Sequence, residues 1–204
     1  MIFLIILFFV VLPPCFVVNT SQTVSISFNF VWLISICGYI FYREKKTEEN
    51  PQKMNFIFCF IIPVIFCTIC LFSLLFFLDA VARYIDYTFV SKPIVKSEQT
   101  YMWALSIFFL ALSAFSEEFV YRFYLPDMMK HLVCYKYDKK ILVIICEITA
   151  CVLFALGHLY SGYLAVIFAA LSHCVFRVIY KQTGNIFVTS LSHFIYNTIL
   201  FIFL

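Results

Sequence analysis

Seven long apolar runs leave this 204-residue chain little polar surface from which to build a water-soluble fold. They are Ile2–Val18, Val24–Tyr42, Met54–Leu78, Tyr101–Leu125, Ile141–His158, Tyr163–Tyr180 and Ile186–Leu204. At a helical rise of about 1.5 Å per residue, each spans or nearly spans a hydrocarbon layer about 30 Å thick. Inside such a layer every backbone N–H and C=O must find a partner within the protein, which restricts spanning segments to helices and closed barrels. Runs this long and uninterrupted are helical. Charged residues make up only 12% of the chain, against about 25% in soluble proteins. The expected fold is therefore all-α: a polytopic membrane helix bundle with about seven transmembrane helices, forming one integral membrane domain over residues 1–204. Its first partner is the lipid bilayer. The net charge of +3 is small and scattered, so nucleic acid is not an expected partner.

The loops suggest an orientation. With the N-terminus in the cytoplasm, the cytoplasmic connections carry Arg43, Lys45, Lys46, Lys53, Arg122, Lys130, Lys136, Lys139, Lys140, Arg177 and Lys181. The opposite side carries Arg83, Lys92 and Lys96. An excess of Lys and Arg marks cytoplasmic loops, so the N-terminus is expected inside and the C-terminus outside. Met1–Val18 has no basic leader and no small-x-small cleavage site before Thr20, and reads as a retained span. The nine cysteines are an odd number, and all but Cys134 lie in apolar segments, which argues against a disulfide framework. Cys67 and Cys70 have redox-motif spacing but lie within an apolar run and read as small packing residues. Pro63 is expected to kink the third run.

In so apolar a chain, ionisable residues within the runs are the functional candidates. The stretch Ser116–Arg122 stands out because Glu117, Glu118 and Arg122 directly follow an uncharged segment. Glu118 and Arg122, four apart on a helix, are expected to pair, leaving Glu117 on a different face. Taken alone, the stretch reads equally as the edge of the bilayer. His193 and Asn197 are also four apart and share a face with Ser190 in the final run. They can serve as oxyanion donors or as an interhelical hydrogen-bonding pair. His158 closes the fifth run, where a structural role is the simpler reading. Glu147 and His173 look isolated and suggest interhelical contacts; His131 lies in a basic loop.

Glu117-Glu118-x-x-x-Arg122, Phe154-x-x-x-His158 and His193-x-x-x-Asn197 follow in that order on three apolar segments. This ordered set resembles the three motifs of the CPBP family of intramembrane proteases (CAAX proteases and bacteriocin-processing enzymes, also called Abi). Tyr180–Ile186, ahead of the third motif, is similar to the family's lead-in to that helix, and the resemblance spans residues 101–197. It implies an endopeptidase acting on a membrane-associated protein or peptide. Glu117 would activate water with help from His158, His193 and Asn197 would stabilise the oxyanion, and Glu118 with Arg122 would support the first motif. No cofactor is required on that reading, which Asn197, a poor metal ligand, favours. A zinc reading would use Glu117, His158 and His193 as ligands, with Glu118 as the base. A non-catalytic bacteriocin-immunity or binding protein of the same fold is the alternative, and a proton-relay transporter ranks behind it. The expected location is the inner membrane of a bacterial cell.

Two features do not fit straight spans. Counted along the runs, Glu117 and His193 fall near the cytoplasmic side, whereas His158 falls about 25 Å from it. The assignment therefore requires the fifth run to start in the cytoplasm, tilt or break. In addition, His173 stands where the family resemblance implies a small residue.

Overall fold

The computed structural model describes residues 56–85, 100–134 and 140–203. Apart from short turns, these residues are helical, with no strand among them. The elements are α1 (Ile62–Tyr84), α2 (Thr100–Glu118), α3 (Leu125–Cys134), α4 (Lys140–Leu156), α5 (Tyr163–Thr183) and α6 (Ile186–Phe203). The first two apolar runs lie outside the described residues. Among the described residues, four helical stretches are long and apolar enough to cross a membrane: Ile57–Tyr84, Trp103–Leu132, Tyr163–Thr183 and Ile186–Phe203. The fifth run forms α4, of 17 residues. Its outward stripe of Ile141, Ile144, Ile145, Ile148 and Val152 recurs at helical spacing and is exposed. That pattern is a lipid-facing surface.

The fourth run does not stop at Leu125. One helical rod runs from Thr100 to Cys134, with α2 passing into α3 through a π-helical turn at Phe119–Tyr124. Arg122, expected in a cytoplasmic connection, is completely buried in this turn. Lys130 and His131, also expected in a loop, lie on α3. A second π-turn, Ile57–Ile61, leads into α1.

Both π-turns end just before a proline, Pro126 in one case and Pro63 in the other. A proline has no N–H for the carbonyl four residues earlier and crowds it sterically, so the helix widens upstream. The expected irregularity at Pro63 takes this form.

α3 and α4 form a hairpin, α2 packs on α6, and α5 packs on α1 and α4. α2 and α6 run antiparallel, with Trp103 against Phe201 (ring centroids 5.1 Å apart) and Phe115 near Phe187 (5.7 Å). Two apolar clusters make the core. One surrounds the Phe119–Tyr124 turn and takes in Ala150, Phe154 and Ala169. The other joins α1 to α5 and α6 through Val64, Leu71, Phe176 and Tyr196. The polar residues of the motifs lie along the seam between these clusters.

Two glycines make the turns that bring the later motifs into place. Gly162, at φ +100°, follows the short 3₁₀ turn Leu159–Ser161 and starts α5. Gly184, at φ +59°, ends α5, and its N–H donates to the Tyr180 carbonyl at 2.8 Å. Both sit in the positive-φ region that side chains with a Cβ rarely enter. Asn185 then accepts the Phe187 N–H on Oδ1 at 3.0 Å, opening α6 two residues after α5 ends.

Candidate active site

Adjacent residues on a helix point about 100° apart, so Glu117 and Glu118 face different neighbours. Glu118 is fully buried and faces α6. Its Oε1 accepts a hydrogen bond from Nδ1 of His193 at 3.0 Å. Its Oε2 lies 3.2 Å from Nε of Arg122, one turn along, in an ion pair with no exposed surface on either side chain. The expected i,i+4 pair is present, but Glu118 also has a second partner 75 residues away.

Arg122 is held by aromatic faces as much as by charge. Its guanidinium carbon lies 3.9 Å from the centroid of Phe154 and 4.8 Å from that of Phe176. Its Nη1 and Nη2 have no hydrogen-bond partner among the described residues. A cation between two desolvated rings is attracted by their quadrupoles, and this helps hold it where no water can.

Glu117 faces the other way. Ser113, one turn earlier, donates to its Oε1 at 2.9 Å. Its Oε2 is buried, has no hydrogen-bond partner among the described residues, and lies 4.0 Å from Nε2 of His193. This separation exceeds hydrogen-bond reach. The two groups therefore confront each other across a narrow gap without being bonded.

His193 thus stands between the two glutamates. Because a carboxylate can only accept, Nδ1 of His193 carries the proton toward Glu118. Nε2 is the nitrogen left toward Glu117. The ring also packs against Phe176, with centroids 5.1 Å apart. Asn197 lies one turn further along α6 and is half-buried. Ser190, one turn the other way, is buried, and its hydroxyl has no hydrogen-bond partner among the described residues.

The chain reaches His158 by way of the α3–α4 hairpin, which the straight-span count did not include. Helix α3 carries the chain away from the site to Cys134, and α4 returns antiparallel to it. Phe154, near the end of α4, consequently lies against both Arg122 and Tyr121 (rings 5.1 Å apart). The straight-span count, which put His158 about 25 Å from the cytoplasmic side, took the fourth run to end at Leu125, whereas Glu117 lies in the middle of a rod that continues to Cys134. Nδ1 of His158 is 2.9 Å from the Phe154 carbonyl, an acceptor, so Nε2 is again the free nitrogen. The His158 ring packs on Phe154 at 4.8 Å and stacks with Tyr160 at 6.5 Å. Burial, and after it the Glu117 charge, push the Tyr160 phenol above its usual range.

The zinc reading needs three donors converging on one point. Both imidazoles use Nδ1 as a donor and keep Nε2 free, an arrangement common to metal ligands. Even so, among the described residues no three His, Cys, Asp or Glu side chains are grouped so that they could hold a metal ion. Glu117, His158 and His193 do not form such a set in this structure.

Several contributors were not singled out by motif spacing. Ser113 fixes one oxygen of Glu117, and Phe176 completes the cage around Arg122. Glu147 is not isolated. It receives Nε and Nη2 of Arg177 at 2.7 and 2.8 Å, Nζ of Lys130 at 2.7 Å, and Nζ of Lys181 at 3.0 Å. Arg177, which had counted as a cytoplasmic marker, is a buried residue of α5. His173 is buried with its ring 5.7 Å from Phe154, and its Nδ1 has no partner among the described residues. It occupies the layer behind Arg122 and not the Glu117–His193 gap.

Ser113 provides a direct check on the orientation of Glu117. Ser113→Ala is expected to lower turnover by roughly tenfold, in the range of about 1–1.5 kcal/mol for one lost hydrogen bond. Ser113→Thr, which keeps the hydroxyl, should restore most of it. Comparing kcat and KM of the two variants tests this, since a packing effect alone would not follow the hydroxyl.

Residues 99–199 match the model of a family described as type II CAAX prenyl endopeptidase Rce1-like. No curated protein and no solved structure matches the chain.

Proposed function

Residues 99–199 belong to the Rce1-like family of type II CAAX prenyl endopeptidases, and on that premise we propose that this multi-pass membrane protein hydrolyses a peptide bond by glutamate-activated water. The observation that carries the reading is the gap between Glu117 Oε2 and His193 Nε2, 4.0 Å wide, with each partner fixed from behind. Ser113 holds Glu117, and Glu118 holds His193.

In this mechanism the Glu117 carboxylate takes a proton from water as the water oxygen bonds to the scissile carbonyl carbon. His158 assists through Nε2, which is a lone-pair acceptor when Nδ1 donates to the Phe154 carbonyl. The carbonyl π bond opens to an oxyanion, which Asn197 and His193 stabilise. For His193 to donate from Nε2 it must be an imidazolium, since Nδ1 already donates to Glu118. Glu118 accepts that hydrogen bond in either protonation state of His193, and Arg122, 3.2 Å away, balances the Glu118 charge. The oxyanion then reforms the carbonyl, the C–N bond breaks, and the proton taken by Glu117 passes to the leaving amine. The products are a new carboxylic acid, which loses its remaining proton to solvent, and a new amine, so the balance closes without a metal or another cofactor.

The substrate is a membrane-associated protein or peptide, and a prenylated C-terminus is the class that the family description names. Residues 1–204 form one integral membrane domain on this reading, with 101–197 carrying the motifs. The N-terminus is cytoplasmic, the C-terminus lies outside, and the membrane is the inner membrane of a bacterial cell.

The test is reconstitution of the purified protein in vesicles together with a membrane-anchored peptide bearing a prenylated C-terminus. Single-site cleavage is expected, at a rate unaffected by a strong zinc chelator. Absence of cleavage would favour a non-catalytic binding or immunity role. A rate that falls with chelator and recovers with zinc would overturn the metal-free chemistry.

A further inference from the structure

Two irregularities meet at the Arg122 carbonyl. In a regular α-helix this carbonyl would accept the N–H of residue 126, but residue 126 is proline and has none. The rod is instead π-helical over Phe119–Tyr124, with the Leu125 N–H donating to the Val120 carbonyl. A buried carbonyl left without a donor would cost free energy comparable to a lost hydrogen bond. Here the donor comes from another helix: Nη1 of Arg177 donates to the Arg122 carbonyl.

Arg177 is itself firmly fixed. It makes a bidentate pair with Glu147 on α4, at 2.7 and 2.8 Å. Glu147 is further held by Lys130 on α3 and Lys181 on α5. One guanidinium thus ties together α4, α5 and the π-turn. Planar forked donors suit this task and a lysine would not, because a single ammonium cannot keep the bidentate pair and the carbonyl contact together.

The turn held in this way joins the carboxylates to the rest of the rod. Glu117 and Glu118 end α2, the π-turn begins at the next residue, and Arg122 lies within it. A change from π to α geometry removes one residue from a turn. That would rotate the two glutamates, which precede the turn, relative to α3, which follows it, by about 100°, one residue's turn of helix. The 3.0 Å contact between Glu118 and His193 on α6 would not survive such a rotation.

We propose that Arg177, anchored by Glu147, is a positioning residue for the proteolytic site: it supplies the donor that Pro126 lacks, and so holds the π-turn that aligns Glu117 and Glu118 with His193. This rests on the protease reading above. Its role is distinct from that of Arg122, which pairs directly with a motif glutamate.

The experiment uses the full-length protein in vesicles and two readouts. The first is kinetic. Arg177→Lys and Glu147→Gln should lower kcat by roughly ten- to a hundredfold, the scale of a misplacement of about 1 Å, with KM changed by less than about twofold. The second does not need catalysis: nuclear magnetic resonance of the His193 ring nitrogens in isotope-labelled protein. The Nδ1–H signal reports the hydrogen bond to Glu118 and should move in both variants. If wild type cleaves nothing, the protease reading fails, but the ring signal still judges the clamp. Folded variants with wild-type kcat and an unmoved His193 signal would overturn the proposal. Failure of both variants to fold would also overturn it, by assigning the clamp to stability and not to alignment. A lowered kcat with an unmoved signal would likewise count against it.

Discussion

Glu117→Gln is expected to lower cleavage by roughly 10²–10⁴-fold, the usual contribution of a positioned general base, while the protein inserts and folds as wild type. The substitution is close to isosteric, and the amide oxygen can still accept from Ser113 Oγ, the 2.9 Å bond that orients the native side chain. What it removes is a carboxylate able to take a proton on Oε2, the oxygen facing Nε2 of His193. Glu117 makes no ion pair with Arg122, so no buried cation is stranded and little stability is at stake. The informative measurement is therefore turnover per folded molecule, compared at matched reconstitution. Full activity in a folded Glu117→Gln protein would remove the base from the mechanism. Unaltered protection of cells by a cleavage-dead variant would favour the binding alternative.

This separation of chemistry from support was legible only in part from the chain. Spacing placed Glu118 and Arg122 on one helix face, and the structure has them in contact at 3.2 Å. The bond from His193 to Glu118 joins residues 75 positions apart, and periodicity carries no information about which distant helix packs on which. The end of the fourth run was misjudged for a related reason. Pro126, Asp127 and Lys130 resemble the edge of a bilayer when each is taken as a solvated group. In the structure Lys130 is paired with Glu147 across the α3–α4 hairpin, and the rod continues because its polar residues are neutralised by other helices. Arg122 and Arg177 misled in the same way: a buried arginine counts as a cytoplasmic marker until its partner is known. The π-turn did leave a mark in the sequence, since Pro126 stands four residues after Arg122. Reading it required asking where the freed carbonyl finds a donor, and that donor lies on α5.

The buried ion pair yields the largest expected effect on stability. Glu118→Ala should cost about 3–5 kcal/mol, because it leaves the Arg122 charge unpaired in a site with no exposed surface. The aromatic faces of Phe154 and Phe176 remain, but a cation–π contact is worth about 2 kcal/mol when desolvated and cannot replace the carboxylate. Activity should be lost as well, since His193 would lose the acceptor that fixes its ring. Removing both charges distinguishes the two roles of the pair. Glu118→Leu with Arg122→Met replaces buried ions by apolar side chains of similar bulk, a change that is often neutral or stabilising. The double variant should regain most of the stability lost in Glu118→Ala, measured by reversible unfolding in mixed micelles, yet remain inactive. Recovery of cleavage along with stability would mean that Glu118 serves only to neutralise Arg122. Continued inactivity in a stable protein would assign the carboxylate to His193, because neutralisation is then no longer needed and orientation of the imidazole is what is still missing.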